Sequence, residues 1–454
     1  MCQNVFRYFR SSWVVPVSLL YVIGFTTTGK AQTPTDTTPA GEAAALRAQI
    51  DSLTQRVSAL TQRVTQVETA QVGQTSAAPP QDPTSLVTSA VTAGDAPRSF
   101  RIPGTNVSLR FGGFAKFDAS YDLGVMLAGS RYFPDLIAVG PSATRKGMTT
   151  FSAGQSRFSI NAQAPTRLGL LRAFIEMDFY GARDTANLRH AFGQAGWVTG
   201  GYTWSTLMDL SSLPPTVTFT APSGAIYSPQ PLIRVTIPVR KGTDLAFAVE
   251  GPKNPVDVTL PIPATDVTMP RFPDFIATFR SAKGTKAHIQ LGVVARRLGV
   301  RHATGSTEFV NGGGAILSGR ISPVGRDSFG FGGIVGKGIG SYIAGLATSP
   351  AAAAPTALGV LQTLQVAGGY ANYLRWWNKQ FRSTVAYGYV QVKNSGGQAA
   401  TAVKSTQSAI GNLVWAPLPG FGVGLEYVYG RRKNKNGTVG KDPRIHFGIQ
   451  FGFS

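Results

Sequence analysis

Histidine and cysteine, which carry much of enzyme chemistry, are scarce in this chain. The four histidines, His190, His288, His302 and His446, are widely scattered and show no metal-ligand spacing, and the single cysteine is Cys2. A glycine-rich stretch around Lys337 fails the phosphate-loop pattern because a glycine follows that lysine where Ser or Thr is required. The sequence therefore predicts no enzymatic activity, no metal site and no cofactor.

Basic residues are the prominent chemical groups. Beyond position 98 they outnumber acidic residues by 36 to 16, in a chain with a net charge of +21. A guanidinium group can hold a carboxylate through two parallel hydrogen bonds, so this excess favours anionic partners. The candidate anion-binding residues are Arg110, Lys116, Arg157, Arg172, Arg189, Arg234, Arg280, Arg320, Arg375 and Arg382.

The elements that must position these residues are β-strands. From Asn106 onward, apolar and polar residues alternate with period two. In segment 287–295, for example, Ile289 and Leu291 alternate with His288 and Gln290. No stretch of ~18 apolar residues, the length that a membrane-spanning helix needs, follows residue 31. The pattern is typical of a membrane barrel, with apolar side chains towards lipid and polar ones towards the lumen.

The connections between strands alternate in length. Seven short and eight long connections predict a 16-stranded antiparallel transmembrane β-barrel, all-β in class, with both termini at the short-turn end. The short ones fall near 165–166, 195–196, 241–242, 283–284, 323–325, 377–379 and 417–420. The long ones fall near 123–148, 181–186, 208–230, 251–271, 298–312, 339–362, 394–403 and 433–442. A barrel of this size is expected to enclose water rather than a packed core.

Aromatic residues at strand ends suit the two membrane interfaces. They are Trp197, Trp204, Trp376, Trp377, Trp415 and Tyr429.

Strand parity places the candidate basic residues, and also Arg444, on the lumen face. An arginine at the middle of the lipid face would cost ~2–4 kcal/mol. Few acids share the lumen face, namely Asp118, Glu176, Asp178 and Glu426. We therefore expect a positive channel interior that favours anions. The alternative is a solvated wall on which the arginines pair with neighbouring acids.

Two long loops are candidates for narrowing the pore. The first, 208–230, follows the fifth strand, the position of the inward-folded loop in trimeric porins, although an exposed loop is the alternative. The second is 251–271, with Lys253 and Arg271.

The N-terminal part is predicted to contain three further segments. Residues 1–31 have the basic, apolar and small-residue regions of a signal peptide. Residues 42–72 are predicted to form a coiled coil, residues 73–98 a flexible linker, and residues 99–454 the barrel. The heptad positions favour a parallel dimer, because β-branched residues alternate with mostly leucine. These positions are Leu46, Ile50, Leu53, Val57, Leu60, Val64 and Val67.

Several stretches, taken in order, resemble the DcaP-like family of trimeric outer-membrane porins. They include the first strand with its preceding segment (99–122), QSRFSI (155–160) and three later segments (188–209, 271–280 and 412–437). The resemblance implies a homotrimer where the heptad favoured a dimer, and a coiled coil in the periplasm.

The function that the resemblance implies is passive diffusion of small anionic solutes such as dicarboxylates across the outer membrane of a Gram-negative bacterium. Membrane lipids and lipopolysaccharide are the other expected partners, and nucleic acid is not expected. The alternative is a structural protein that tethers the envelope through its coiled coil. An outer-membrane phospholipase is disfavoured, because His190, the one histidine considered for the lipid-facing rim, has no serine motif beside it.

Overall fold

The computed structural model describes residues 92–95, 97–140, 146–167, 169–181, 185–253, 256 and 266–453, and eight positions between 51 and 62. The chain divides into two units, residues 1–82 and 83–454. The described positions of the first unit are helical. The predicted signal peptide and the seven heptad positions lie outside the described residues.

The second unit contains sixteen long strands within its described residues. In chain order they are β1 (Ser108–Asp122), β2 (Arg157–Thr166), β3 (Gly169–Asp178), β4 (Asn187–Ala195), β5 (Val198–Trp204), β6 (Pro229–Arg240), β7 (Thr243–Glu250), β8 (Asp274–Lys283), β9 (Ala287–Arg301), β10 (Thr307–Ile321), β11 (Ser328–Lys337), β12 (Gln365–Trp376), β13 (Phe381–Lys393), β14 (Val403–Leu418), β15 (Phe421–Asn434) and β16 (Val439–Phe453).

Each of these strands pairs antiparallel with its neighbours in sequence, and the last pairs with the first. Ile445 of β16 lies opposite Tyr121 of β1, which closes the sheet. A closed sheet leaves no strand edge exposed, so every strand has hydrogen-bond partners on both sides. The predicted 16-stranded antiparallel barrel is therefore confirmed.

The described residues include no helix that is long and apolar enough to cross a membrane.

Connection lengths follow the predicted alternation with two exceptions. The loops predicted at 298–312 and 433–442 shrink to residues 302–306 and 435–438, because β9, β10, β15 and β16 extend beyond the expected strand ends. Polar residues such as Glu308 and Lys433 continue the antiparallel strand pairing there. The sheet also begins earlier than expected. Thr92–Ala93, inside the predicted linker, pairs with Phe100–Arg101, which pairs with the start of β1.

Side chains alternate across the barrel wall as a membrane barrel requires. In β9, Ile289, Leu291 and Val293 are exposed on the outer face, whereas His288 and Gln290 are buried inside.

The lumen is partly filled, contrary to the expectation of a water-filled interior. Inward-facing apolar side chains of β7 to β14 pack against the long loops that enter the barrel, and together they form a hydrophobic cluster. Ile276 and Ile316 belong to the wall, while Leu207, Ile226 and Tyr342 belong to loops. The loops therefore leave an open lumen that is narrower than the barrel itself.

Candidate functional site

Residues 205–228, between β5 and β6, fold across the lumen. One anchor is Asp209, whose carboxylate accepts a hydrogen bond from Arg280 Nη1 of β8 at 2.9 Å and from Ser318 Oγ of β10 at 3.0 Å. His288 Nε2 of β9 lies 2.7 Å from the same carboxylate. This acid therefore ties the start of the loop to three consecutive strands.

The middle and end of the loop are tied to the opposite wall. Glu426 of β15 accepts hydrogen bonds from the backbone amides of Val217 at 2.7 Å and Thr218 at 3.1 Å. Ser223 donates its amide to Ser408 Oγ of β14 at 2.9 Å. Because its anchors lie on strands from β8 to β15, the loop spans the pore.

Glycines on the inner wall make room for this loop. A Cβ atom at Gly330 would lie 2.3 Å from the carbonyl oxygen of Ser212, and one at Gly388 would lie 2.2 Å from that of Ser223. Both distances are far below van der Waals contact, so only glycine fits. Gly330 belongs to the glycine-rich stretch around Lys337 that fails the phosphate-loop pattern, and its role here is to allow the loop to pack closely against the wall.

The tip of the loop is Phe219, whose φ of 54° is in the left-handed region that residues other than glycine rarely adopt. Its ring lies 4.8 Å from Lys116 Nζ and 5.0 Å from the Arg157 guanidinium, both in cation–π range. Phe114 meets the ring edge-on at 5.9 Å. The positive φ and the two flanking cations make Phe219 a candidate functional position.

Two cavities lie on either side of this tip. The outer cavity, about 650 Å³, is lined by Arg157, Arg189 and Glu176 together with a wall of aromatic rings. The inner cavity, about 500 Å³, lies towards the short-turn end and is lined by the β14–β15 turn. Three residues, Thr216, Phe219 and Arg382, line both cavities. A solute that crosses the barrel by way of these cavities must pass these three side chains.

Nine of the ten predicted basic residues lie on the inner face of the barrel. They are Arg110, Lys116, Arg157, Arg172, Arg189, Arg234, Arg280, Arg320 and Arg382. Some are paired with acids: Arg189 with Glu176 and Asp178 at 3.0 and 2.9 Å, and Lys116 with Asp118. Five form no ion pair with any carboxylate among the described residues. These five are Arg110, Arg172, Arg234, Arg320 and Arg382.

Arg375 is the exception, and its predicted inward position is corrected. It follows Leu374, which shares the inner face with Asn372, so its own side chain points outward at the short-turn end of β12. There its Nη1 lies 2.6 Å from Asp327, and the side chain is 48% exposed. A charge at the end of a strand can reach the polar headgroup region, which removes the cost of lipid exposure.

Three aromatic or histidine positions also differ from expectation. His190 faces the lumen, where its Nδ1 lies 2.9 Å from Thr203 Oγ1. Trp204 packs inside against His190 at 5.2 Å between ring centroids, and Trp376 stacks inside under Arg326 at 3.3 Å. These two tryptophans are therefore not part of an outer interfacial belt.

Arg326 and Lys379 were missed by the sequence reasoning. Both line the inner cavity, but they lie in the turns 322–327 and 377–380, to which strand parity does not apply. The sequence signals that these turns border the pore were the predicted lumen-facing arginines nearest to them on the adjoining strands, Arg320 and Arg382.

The acid that anchors the loop is strongly stabilised as a carboxylate. Burial by itself raises the pKa of Asp209, but hydrogen bonds from His288 and Arg280 outweigh burial and lower the pKa from a usual 3.8 to about 2. The second candidate loop carries Lys253, whose pKa is lowered by burial to about 8. Lys253 donates to Ser228 Oγ at 2.8 Å, which links the two loops, and Arg271 is exposed.

No protein-family model and no curated protein matches the sequence. Solved structures match the fold. The outer membrane channel DcaP of Acinetobacter baumannii aligns with a TM-score of 0.68 at 18% identity, over 80% of this chain and 100% of that chain. The fold is that of an outer-membrane channel. This finding confirms the resemblance to DcaP-like channels that the sequence predicted.

Two further structures share the barrel more distantly. An anion-selective porin from Comamonas acidovorans has a TM-score of 0.51 at 10% identity, over 76% of this chain and 100% of that chain. A loop L8 deletion mutant of OmpT, an outer membrane protein of Vibrio cholerae, has a TM-score of 0.51 at 10% identity, over 76% and 99%.

Proposed function

We propose that this protein is a porin in the outer membrane of a Gram-negative bacterium, through which small, preferentially anionic solutes diffuse passively. The observation that carries the proposal is the set of five inward arginines without an acidic partner in a lumen narrowed by residues 205–228. A positive potential at a constriction raises the local concentration of anions and lowers their entry barrier.

The preferred solute class is dicarboxylates. Arg157 and Lys116 approach the same Phe219 ring at 5.0 and 4.8 Å, so two positive groups border one ring where the two cavities meet. Two cations so placed suit a molecule with two carboxylates better than one with a single charge.

The assembly proposed is a homotrimer, with the coiled coil of residues 42–72 in the periplasm and membrane lipids or lipopolysaccharide around the barrel. Its support is the fold resemblance to DcaP together with the heptad pattern in the sequence.

Single-channel recording in planar bilayers under a salt gradient tests the proposal. We expect a reversal potential that favours the anion. Arg→Ala at Arg110, Arg157 or Arg234 should each move that potential towards zero, because each removes one positive charge from the lumen. Arg375→Ala is the matched control, since it removes the same charge from the outer face and should leave the potential unchanged. Absence of conductance in the unmodified protein, or no effect of any lumen variant, would contradict the proposal.

A further inference from the structure

The inner cavity differs from the outer cavity in its charge. Its lining includes four basic side chains, Lys116, Arg326, Lys379 and Arg382, and no Asp or Glu. The outer cavity, by contrast, contains Glu176, which forms an ion pair with Arg189. The inner cavity is thus a compact positive space at the short-turn end of the pore.

The four basic groups of the inner cavity are not equally neutralised. Lys116 is paired with Asp118, and its ammonium also donates to Gln155. Arg326, Lys379 and Arg382 form no ion pair with any carboxylate of the described residues. Arg382 also has a buried Nη1 without a hydrogen-bond partner. A buried guanidinium N–H with no acceptor is a ready donor for a bound anion.

Most of the other side chains that line the cavity are apolar, with Thr216 and Gln450 as the polar exceptions. The β14–β15 hairpin supplies Val414, Leu418, Pro419, Phe421 and Val423. Val414 of this hairpin pairs with Arg382 of β13, and the hairpin lines the same cavity as Arg326 and Lys379. The cavity therefore offers a cationic side and a hydrocarbon side next to each other, which a small hydrophilic anion cannot fully use.

We infer that the inner cavity is a second anion site that binds monoanions with a hydrocarbon body, such as a short-chain fatty acid. It lies in series with the outer cavity, and Arg382, which lines both, passes the solute between them beside Phe219. The inference rests on the proposed porin function and adds a site and a solute class to it. Two weak sites in series allow entry and release, where one tight site would hold the solute.

The test compares acetate and hexanoate as blockers of the chloride current through single channels, each added to one side of the bilayer at a time. Hexanoate should reduce the current at about tenfold lower concentration than acetate, because its extra methylene groups are removed from water at the apolar wall. Hexanoate should block at a lower concentration than acetate only when the two anions are added to one particular side of the bilayer, since the inner cavity lies towards one end of the pore.

Two variants distinguish an effect of the inner cavity from an effect of the overall charge of the protein. Arg382→Gln keeps the length and polarity of the side chain but removes its charge, and it should abolish most of the difference between hexanoate and acetate. Arg375→Gln removes the same charge from the outer face and should preserve the difference. Heat-modifiable gel mobility verifies that both variants form the barrel.

A second measurement uses the unmodified fold. Trp376 lines the inner cavity, so hexanoate should change the tryptophan fluorescence of the purified full-length protein more than acetate does. That change should be lost in Trp376→Phe. This readout remains informative if Arg382→Gln does not fold.

Equal block by the two anions, or equal effects of Arg382→Gln and Arg375→Gln, would overturn the second site while leaving an anion-selective channel in place. A channel that does not conduct, or that prefers cations, would instead overturn the porin function and the second site together.

Discussion

At the residue scale, Arg444 shows that an inward arginine need not face the pore. Its guanidinium is fully buried, forms a two-bond ion pair with Asp122 at 2.5 and 2.8 Å, and donates to the carbonyl of Gly129 at 2.8 Å. Its guanidinium carbon also lies 5.0 Å from the Tyr132 ring. With its donors engaged, Arg444 fixes the first long loop inside the barrel rather than attracting solutes.

Replacing Arg444 should destabilise the barrel strongly. Arg444→Met leaves the Asp122 carboxylate buried without a counter-charge, and loss of one partner of a buried pair costs ~3–5 kcal/mol. Equilibrium unfolding in denaturant should report this loss. The double variant Arg444→Met with Asp122→Asn should recover part of it, and Arg375→Met should have a much smaller effect, because its ion pair with Asp327 is exposed to solvent. Additive losses in the double variant would contradict this assignment.

The Phe219 ring should limit conductance, since it stands where the two cavities meet. Phe219→Asn removes the ring, and asparagine tolerates the positive φ of this position, so the loop should keep its course. We expect a larger single-channel conductance. Phe111→Ala, on the outer face, should leave conductance unchanged. A conductance that does not rise in Phe219→Asn would show that the narrowest point lies elsewhere.

The sequence predicted which face of the barrel wall most arginines occupy, because successive side chains of a strand point to opposite faces. It failed at Arg375 for a physical reason. Apolar and aromatic side chains are normally assigned to the lipid face, yet Tyr370 and Leu374 face inward, where Tyr370 packs against the loop at Ser212. Loops that fill the lumen make inward positions as apolar as outward ones. Hydrophobicity then no longer distinguishes the lumen face of a strand from its lipid face. The partners of each arginine depend on three-dimensional contacts.

At the element scale, the loop 205–228 is held by acids rather than by its own secondary structure. Apart from one short 3₁₀ turn, Leu210–Ser212, its described residues form no regular element, and its position depends on Asp209 and Glu426. The sequence indicated an inward loop from its place after the fifth strand. It could not indicate the anchors, because they join residues up to two hundred positions apart.

The anchor at Asp209 should make the channel sensitive to acid only at low pH. Its pKa is lowered from 3.8 to about 2, so the stabilisation is fully present above pH ~4 and is lost as the pH falls through about 2. Conductance and its fluctuations should therefore not change through this residue between pH 7 and pH 4. Asp209→Asn should show, already at pH 7, the increased current noise of a released loop. A wild-type response centred near pH 6 would identify a different titrating group.

At the scale of the whole molecule, the N-terminal segment should determine the number of chains in the assembly. The heptad predicts helix association, and the resemblance to trimeric porins predicts three chains. Chemical cross-linking of the purified full-length protein should yield a three-chain product. Deletion of residues 42–72 should lower the yield of that product, because it removes the predicted coiled coil, while the barrel still conducts. An undiminished three-chain product would place the whole trimer contact on the barrel wall.

The closure of the barrel by β1 and β16 has a consequence for biogenesis. The strand that completes the ring, Val439–Phe453, follows the other fifteen long strands of the described barrel in chain order, so β1 has no native partner on one side until β16 has been synthesised. Its row of unpaired backbone groups is an aggregation hazard for that whole period. Contacts between the first and last strands of the barrel, which are far apart in sequence, also make the search for the native ring slow. We therefore expect the pairing of β16 with β1, rather than the pairing of neighbouring strands, to limit the rate at which the barrel folds.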